Sequence, residues 1–146
     1  MRKVFIPILI ILLNAAYADA QRIKQKNVPS IVVNALQLKF PKATEADWEL
    51  VRGNYKARFE MDDIDHEVWL DYSGRLKKHM RDFDENDLPK AVKSAIQKSF
   101  GGFEVHNVER MEEGKKVHYK MKLEKSPSSF QVVFDEEGRI VKKKEN

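Results

Sequence analysis

Trp69 is the side chain in this sequence best suited to recognition. It lies in the run Glu67-Val68-Trp69-Leu70-Asp71, where strand alternation sends Val68 and Leu70 to one side and Trp69 to the other, among acids. An aromatic ring on a polar strand face brings ~150–250 Å² of contact with little rotamer entropy to lose, which suits an interface anchor. Its competing use is local, lying on the aliphatic stems of Lys56, Arg58 or Lys77 from neighbouring strands. Trp48, with Ala46 and Leu50, reads instead as core.

Groups capable of covalent or metal chemistry are sparse. Cysteine is absent, the serines lack a G-x-S-x-G setting, and there is no phosphate-binding glycine loop. His66, His79, His106 and His118 are spread one to a strand without H-x-x-x-H spacing, so no metal site is expected. His66 is placed at the edge of the core, and His79 and His118 at the surface. Two acidic runs, Asp62 to Asp65 and Asp82 to Asp87, fail as calcium loops. Counted from Asp82, position six is Asp87 where the tight turn needs glycine, and position twelve is Lys93 where a bidentate glutamate is required. Neither an enzyme nor a cofactor is expected. Basic residues gather late in the chain. Lys120, Lys122, Arg139 and Lys143 could share one sheet face and receive an acidic protein surface or an anionic lipid or glycan, although lysines that discourage strand pairing at a sheet edge are the commoner use.

The elements that must position these residues are written twice. Val28-Pro29, Val32, Ala35 and Phe40 recur as Leu88-Pro89, Val92, Ala95 and Phe100 at an offset of 60, and Tyr55, Val68 to Asp71 and Gly74 recur as Tyr119, Val132 to Asp135 and Gly138 at an offset of 64. A four-residue insertion near Gly114 reconciles the two. Each copy begins with apolar residues at spacings of three and four, an amphipathic helix with Asn27 or Asp87 as N-cap and Pro29 or Pro89 in the first turn. Pro41 and Gly101-Gly102 stop the helices.

The period then falls to two, and short turns imply antiparallel hairpins. The strands expected are 44–52, 54–62, 65–72 and 75–81 in the first copy, and 103–111, 115–124, 128–134 and 139–143 in the second. One face takes Tyr55, Ala57, Phe59, Met61, Val68, Leu70 and Tyr72, and the other Lys56, Arg58, Glu60, Glu67 and Trp69. The fold class is therefore α+β: a tandem duplication of an α-β-β-β-β unit, its helices packed on one face of an antiparallel sheet. Residues 21–146 are expected to form a single domain with repeats at 28–82 and 87–144, and 21–27 a loose leader. Pairing of the two copies into one continuous sheet is favoured because one copy alone would be marginal, but strand order, and whether the sheets join edge to edge or pack separately, are left open by the sequence.

The first residues read as a signal peptide. Arg2 and Lys3 precede an apolar run, and Ala16-Tyr17-Ala18 or Ala18-Asp19-Ala20 offers a cleavage site after residue 18 or 20. The run is too short to cross ~30 Å of hydrocarbon, so no membrane span is expected after its removal. Losing residues 1–18 lowers the formal charge from +4 to +2, or to +3 if Asp19 and Ala20 also leave. The mixed charge that remains argues against nucleic acid as a partner. Export without cysteine fits a bacterial envelope, periplasmic or secreted.

Taken together, Pro29/Pro89, Val32-Ala35, Val92-Ala95, the Phe40-Pro41 stop, Trp48, Tyr55-x-Ala57-x-Phe59 and the Asp71/Asp135 to Gly74/Gly138 turns resemble the PepSY-like family, whose fold is compared with the β-lactamase inhibitory protein. The resemblance implies an envelope protein of two α-β repeats that binds or inhibits another protein. It carries over no catalytic residue, and inhibition of a β-lactamase does not follow from it. The expected function is a non-enzymatic module that binds another exported or envelope protein through the open sheet face, using Trp69, Glu67, Lys56, Arg58, Lys77, Lys120 and Val133. The alternative is a small-ligand or ion binder with a pocket between the repeats or between sheet and helices.

Overall fold

Every strand in the sheet lies beside its neighbours in sequence. A computed structural model describes residues 20–146, and the signal-peptide expectation lies almost wholly outside them. The strands are β1 (Gln21–Ile23), β2 (Asp47–Val51), β3 (Asn54–Met61), β4 (Ile64–Leu70), β5 (Leu76–Asp82), β6 (Glu104–Glu113), β7 (Lys116–Lys125), β8 (Ser128–Asp135) and β9 (Ile140–Glu145). They form one sheet in the order β1 to β9, each pair antiparallel. Helix α1 (Ser30–Lys39) precedes β2, and α2 (Lys90–Ser99) precedes β6. The eight strands read from the alternation are all present. The halves join edge to edge through β5 and β6, from His79 opposite Glu112 to Asp82 opposite Glu109.

Residues 21–27 are not a loose leader. Gln21 to Ile23 pair with Leu50 to Trp48, and Gln25–Asn27 make a 3-10 turn. Three residues are too few to show a period, and this strand exists because the edge of β2 offers unpaired backbone groups. The helix starts also shift. Asn27 and Asp87 lie in the 3-10 turns before the helices, and the N-caps are Pro29 and Pro89, both at φ −54. Proline's fixed φ suits that boundary. Asp84, three residues before Asp87, is the acid that caps, accepting from the Asn86 N–H at 2.8 Å. At the far ends the Phe40 and Phe100 N–H groups donate to Leu36 and Ile96 carbonyls.

Each half has its own core. Val32 and Leu36 of α1 cluster with Trp48, Ala57, Phe59, Val68 and Leu70. Val92 of α2 clusters with Tyr119, Met121, Leu123, Val132 and Phe134. Fully burying such a side chain contributes ~1.5–3 kcal/mol. Tyr72, expected inward, is 78% exposed. Alternation fails there because β4 ends at Leu70 and the Asp71 carboxylate accepts from the Ser73 N–H, the Ser73 hydroxyl and the Arg75 N–H, folding 71–75 into a turn. Asp135 does the same with Glu137 and Arg139. At the tips, Gly74 (φ +80) and Gly138 (φ +79) press against α1 and α2. A Cβ on Gly74 would lie 2.9 Å from both Ala35 Cβ and the Ile31 carbonyl oxygen, and one on Gly138 would meet the Ala91 carbonyl.

Candidate functional site

On the face away from these clusters the residues pair in registered rows. Glu49, Lys56, Trp69 and Lys78 stand side by side across β2 to β5, and Asp47, Arg58, Glu67 and Met80 form the next row. Trp69 is half-buried. The Lys78 and Lys56 ammonium groups stand 4.9 and 5.4 Å from its ring centroid, within the reach of cation–π attraction. Lys56 is only 8% exposed. Its charge is balanced by Glu49 at 3.1 Å and Glu67 at 3.7 Å, and Arg58 Nε donates to Glu67 at 2.8 Å. The Lys56 hydrogen bond, outweighing burial, holds the Glu49 carboxyl below its ordinary range. Trp69 therefore sits in a charged lattice, partly exposed, with the ammonium groups of Lys56 and Lys78 against its ring.

Lys77 takes no part in this row. A register shift between Trp69 and Leu70 puts Lys78 opposite Trp69 and leaves Lys77 exposed in the irregularity. Strict alternation could not foresee the extra residue, since bulges are a property of the pair of strands. The second half carries an equivalent row of Glu109, Lys120, Val133 and Lys142, with Lys120 Nζ 2.7 Å from Glu109. There Val133, 9% exposed, takes the place of the tryptophan.

The late basic residues do not make one bare positive face. Lys120 and Lys122 are paired with Glu109 and Glu124, and Arg139 with Asp135. Lys143 stands opposite Val132 on the core side, its ammonium 4.2 Å from the Phe130 centroid and 5.3 Å from that of Phe100.

The first half puts two histidines where the second has Phe130 and Lys143. His66 Nδ1 and His79 Nε2 share a hydrogen bond of 2.9 Å, their rings stacked with centroids 5.2 Å apart. Phe59 stacks on His66 at 5.2 Å, and Phe40 meets His79 edge-on at 5.0 Å. His66, expected at the core's edge, is 5% exposed, and its Nε2 is buried without a hydrogen-bond partner among the described residues. His79, expected at the surface, is half-buried, because α1 delivers Phe40 onto its ring. Burial pushes the His79 imidazole down to about 4, helped by His66, Arg81 and Arg110, and burial also lowers His66. At neutral pH one ring donates and the other accepts, with neither charged. The sequence signal was the alignment of His66 with Phe130; what it lacked was the hairpin register that brings His79 alongside.

A cleft of about 610 Å³ opens at the junction of the halves, beside a register shift in β6, lined in part by Asp82, Asn107, Glu109, Lys120 and Gln131. Burial, then Asp65 and Glu109, raises the Asp82 carboxyl. No three His, Cys, Asp or Glu side chains come together to hold a metal ion among the described residues. No helix among them is long and apolar enough to cross a membrane.

No curated protein sequence matches the chain. Several solved structures share its fold, three of them as follows. One is a protein of Bacteroides eggerthii provisionally described as periplasmic, 22% identical with a TM-score of 0.74, covering 81% of this chain and 88% of the other. The second is a DUF2874 family protein of Bacteroides uniformis, 24% identical with a TM-score of 0.73, covering 80% and 88%. The third is a BLIP-like protein of Bacteroides fragilis, 24% identical with a TM-score of 0.67, covering 79% and 84%. At these identities the likeness is one of fold. The sequence itself carries the relationship further: residues 53–142 match the family provisionally described as beta-lactamase-inhibitor-like, PepSY-like, and the chain belongs to that family.

Proposed function

We propose that this protein is a non-enzymatic binding module of the bacterial envelope, periplasmic or secreted, that docks another exported protein on the open face of its sheet, in an inhibitor-like manner. The observation that carries the reading is the setting of Trp69. Both helices contribute to the apolar clusters on the other side of the sheet, while on this side a large ring lies half-covered, held by Lys56 and Lys78. A rigid aromatic inside a rim of ion pairs has the anatomy of an interface centre. Glu67, Arg58 and Lys56 fix it in place, and Lys120 and Val133 extend the face into the second half. The two halves are copies of one helix-and-four-strand unit, with both helices on one side, so a partner meets two similar surfaces that differ mainly at Trp69 and Val133. The BLIP-like fold neighbour and the family description support the binding role.

The test places a photo-crosslinking residue at position 58 of the exported protein, in otherwise wild-type and Trp69→Ala forms. The reading expects a discrete crosslinked protein that disappears with Trp69→Ala and does not form from a crosslinker at position 38 on α1. Equal crosslinking with and without Trp69 would remove the tryptophan from the interface.

A further inference from the structure

The two copies also differ on the outside of their helices. In α1, Ile31 and Leu38 stand seven residues apart on one stripe with Ala35 between them, 55% and 83% exposed. The turn that presses Gly74 against Ala35 and Ile31 carries Tyr72, itself 78% exposed. The core does not call for these side chains, because Val32 and Leu36 are the buried residues of α1. At the equivalent positions of the second copy stand Ala91, Lys98 and Glu136, all exposed. Thus α2 has one apolar side, and α1 is apolar on its outer side as well. A lone exposed leucine is ordinary, whereas apolar side chains grouped on a surface mark a contact.

The charge around α1 has one sign. Residues 20–44 hold five basic side chains, Arg22, Lys24, Lys26, Lys39 and Lys42, and no acid. The matching stretch 80–104 holds four basic and five acidic ones. Arg22 stands opposite Glu49 in the sheet, and Lys42 pairs with Asp62 at 2.7 Å. Lys24 and Lys26 just before α1, Lys39 in its last turn and Arg75 next to Gly74 are exposed, with no ion pair among the described residues.

We propose that this outer stripe of α1 docks on the anionic surface of a lipid bilayer. Ile31 and Leu38 enter the boundary between headgroups and acyl chains, Tyr72 lies at headgroup level, and Lys24, Lys26, Lys39 and Arg75 reach the phosphates. Charge selects this occupant, since a basic rim free of acids is complementary to anionic headgroups. Size selects it too. Three apolar side chains fall short of the ~20–30 residues a side that a stable interface with a second copy would use, while an interfacial helix needs only a shallow apolar stripe. Contact on the helix side leaves the Trp69 face turned to solution, so membrane docking and protein docking are compatible and each fails by itself.

The probe is a vesicle of phosphatidylglycerol and phosphatidylethanolamine, with phosphatidylcholine vesicles as the neutral control. The processed exported protein should float with the anionic vesicles at low salt and bind the neutral ones at least tenfold more weakly. The chain has no cysteine, so Leu38→Cys and Lys98→Cys each take one environment-sensitive dye. Anionic vesicles should shift the dye at position 38 to the blue and leave the one at position 98 on α2 unmoved. Leu38→Lys with Tyr72→Glu installs the residues of the second copy at exposed positions and so keeps the fold. It should weaken binding by about tenfold or more as apolar burial is lost. Lys24→Gln with Lys26→Gln should weaken it by about tenfold or more through charge alone, and Trp69→Ala should leave it unchanged. No flotation, equal binding to neutral vesicles, or full binding by the Leu38→Lys, Tyr72→Glu variant would overturn the proposal. A dimer in solution that Leu38→Lys dissolves would overturn it in favour of a second copy on the stripe.

Discussion

Acid should unfold this protein through its histidine pair before its carboxylates respond. In the folded chain the His79 imidazole is held down to about 4 by burial, beside a His66 lowered for the same reason; in the unfolded chain histidine returns to ~6.5. A base depressed by folding binds fewer protons in the native state, so stability is full above 6.5 and falls as the pH drops through that value toward 4. Wholly shielded from solvent, His79 alone would cost about 2–3 kcal/mol between pH 7.5 and 4.5. Solvent screening at a half-buried ring brings this to ~1 kcal/mol, and His66 adds in the same direction. The carboxylates lowered in the fold, Glu49, Asp71, Glu124 and Asp135, lose their stabilisation only as the pH falls from their ordinary values near 4, so the upper part of the window belongs to the imidazoles. The perturbation is His66→Phe with His79→Met, which places at 66 the residue found at the equivalent Phe130 and removes both titrating groups. Urea unfolding at pH 7.5 and 4.5 is the assay. With a slope of ~1.5 kcal/mol/M the wild-type midpoint should fall by about 1 M on acidification, and that of the double variant by less than half as much. A wild-type midpoint independent of pH across this range, or an equal fall in the variant, would refute the account of a buried neutral pair.

Other outcomes follow from the packing. In urea unfolding, Gly74→Ala should cost about 2–4 kcal/mol, adding strain at positive φ to a collision with α1; Gly53→Ala, at φ +78 with open space around it, should cost only ~1 kcal/mol by the same measurement. Leu70→Ala should lose ~2–5 kcal/mol of unfolding free energy as a cavity forms, whereas Leu38→Ala, at a site 83% exposed, should change it by less than ~0.5 kcal/mol. Trp69→Ala should cost ~1–2 kcal/mol, the sum of two cation–π contacts and partial burial; a loss above about 4 kcal/mol would mark Trp69 as core. In iodide quenching, Trp48→Phe should leave a readily quenched emission from Trp69, and Trp69→Phe a protected one from Trp48, which is 3% exposed.

Local patterning was sufficient for much of this protein. Two helices, eight of the nine strands, the turns at Gly74 and Gly138 and the inward set from Ala57 to Leu70 are legible in the sequence. Each depends on the few residues around it: the period of burial, proline at a helix start, glycine where φ must be positive. What escaped depends on residues far apart in the chain. Strand β1 exists only because β2 presents a free edge. Lys77 and Lys78 exchange roles because a register irregularity belongs to two strands together, and no single strand encodes it. His79 is half-buried because α1 carries Phe40 onto it, and Asp82 stands opposite Glu109 because β5, from the first half, pairs with β6 of the second. The sequence by itself determined which segments become helix or strand and which side of each faces the core. Only the tertiary structure decided which polar-face residues stand next to one another, because cross-strand register is set by long-range pairing and leaves no local period to read.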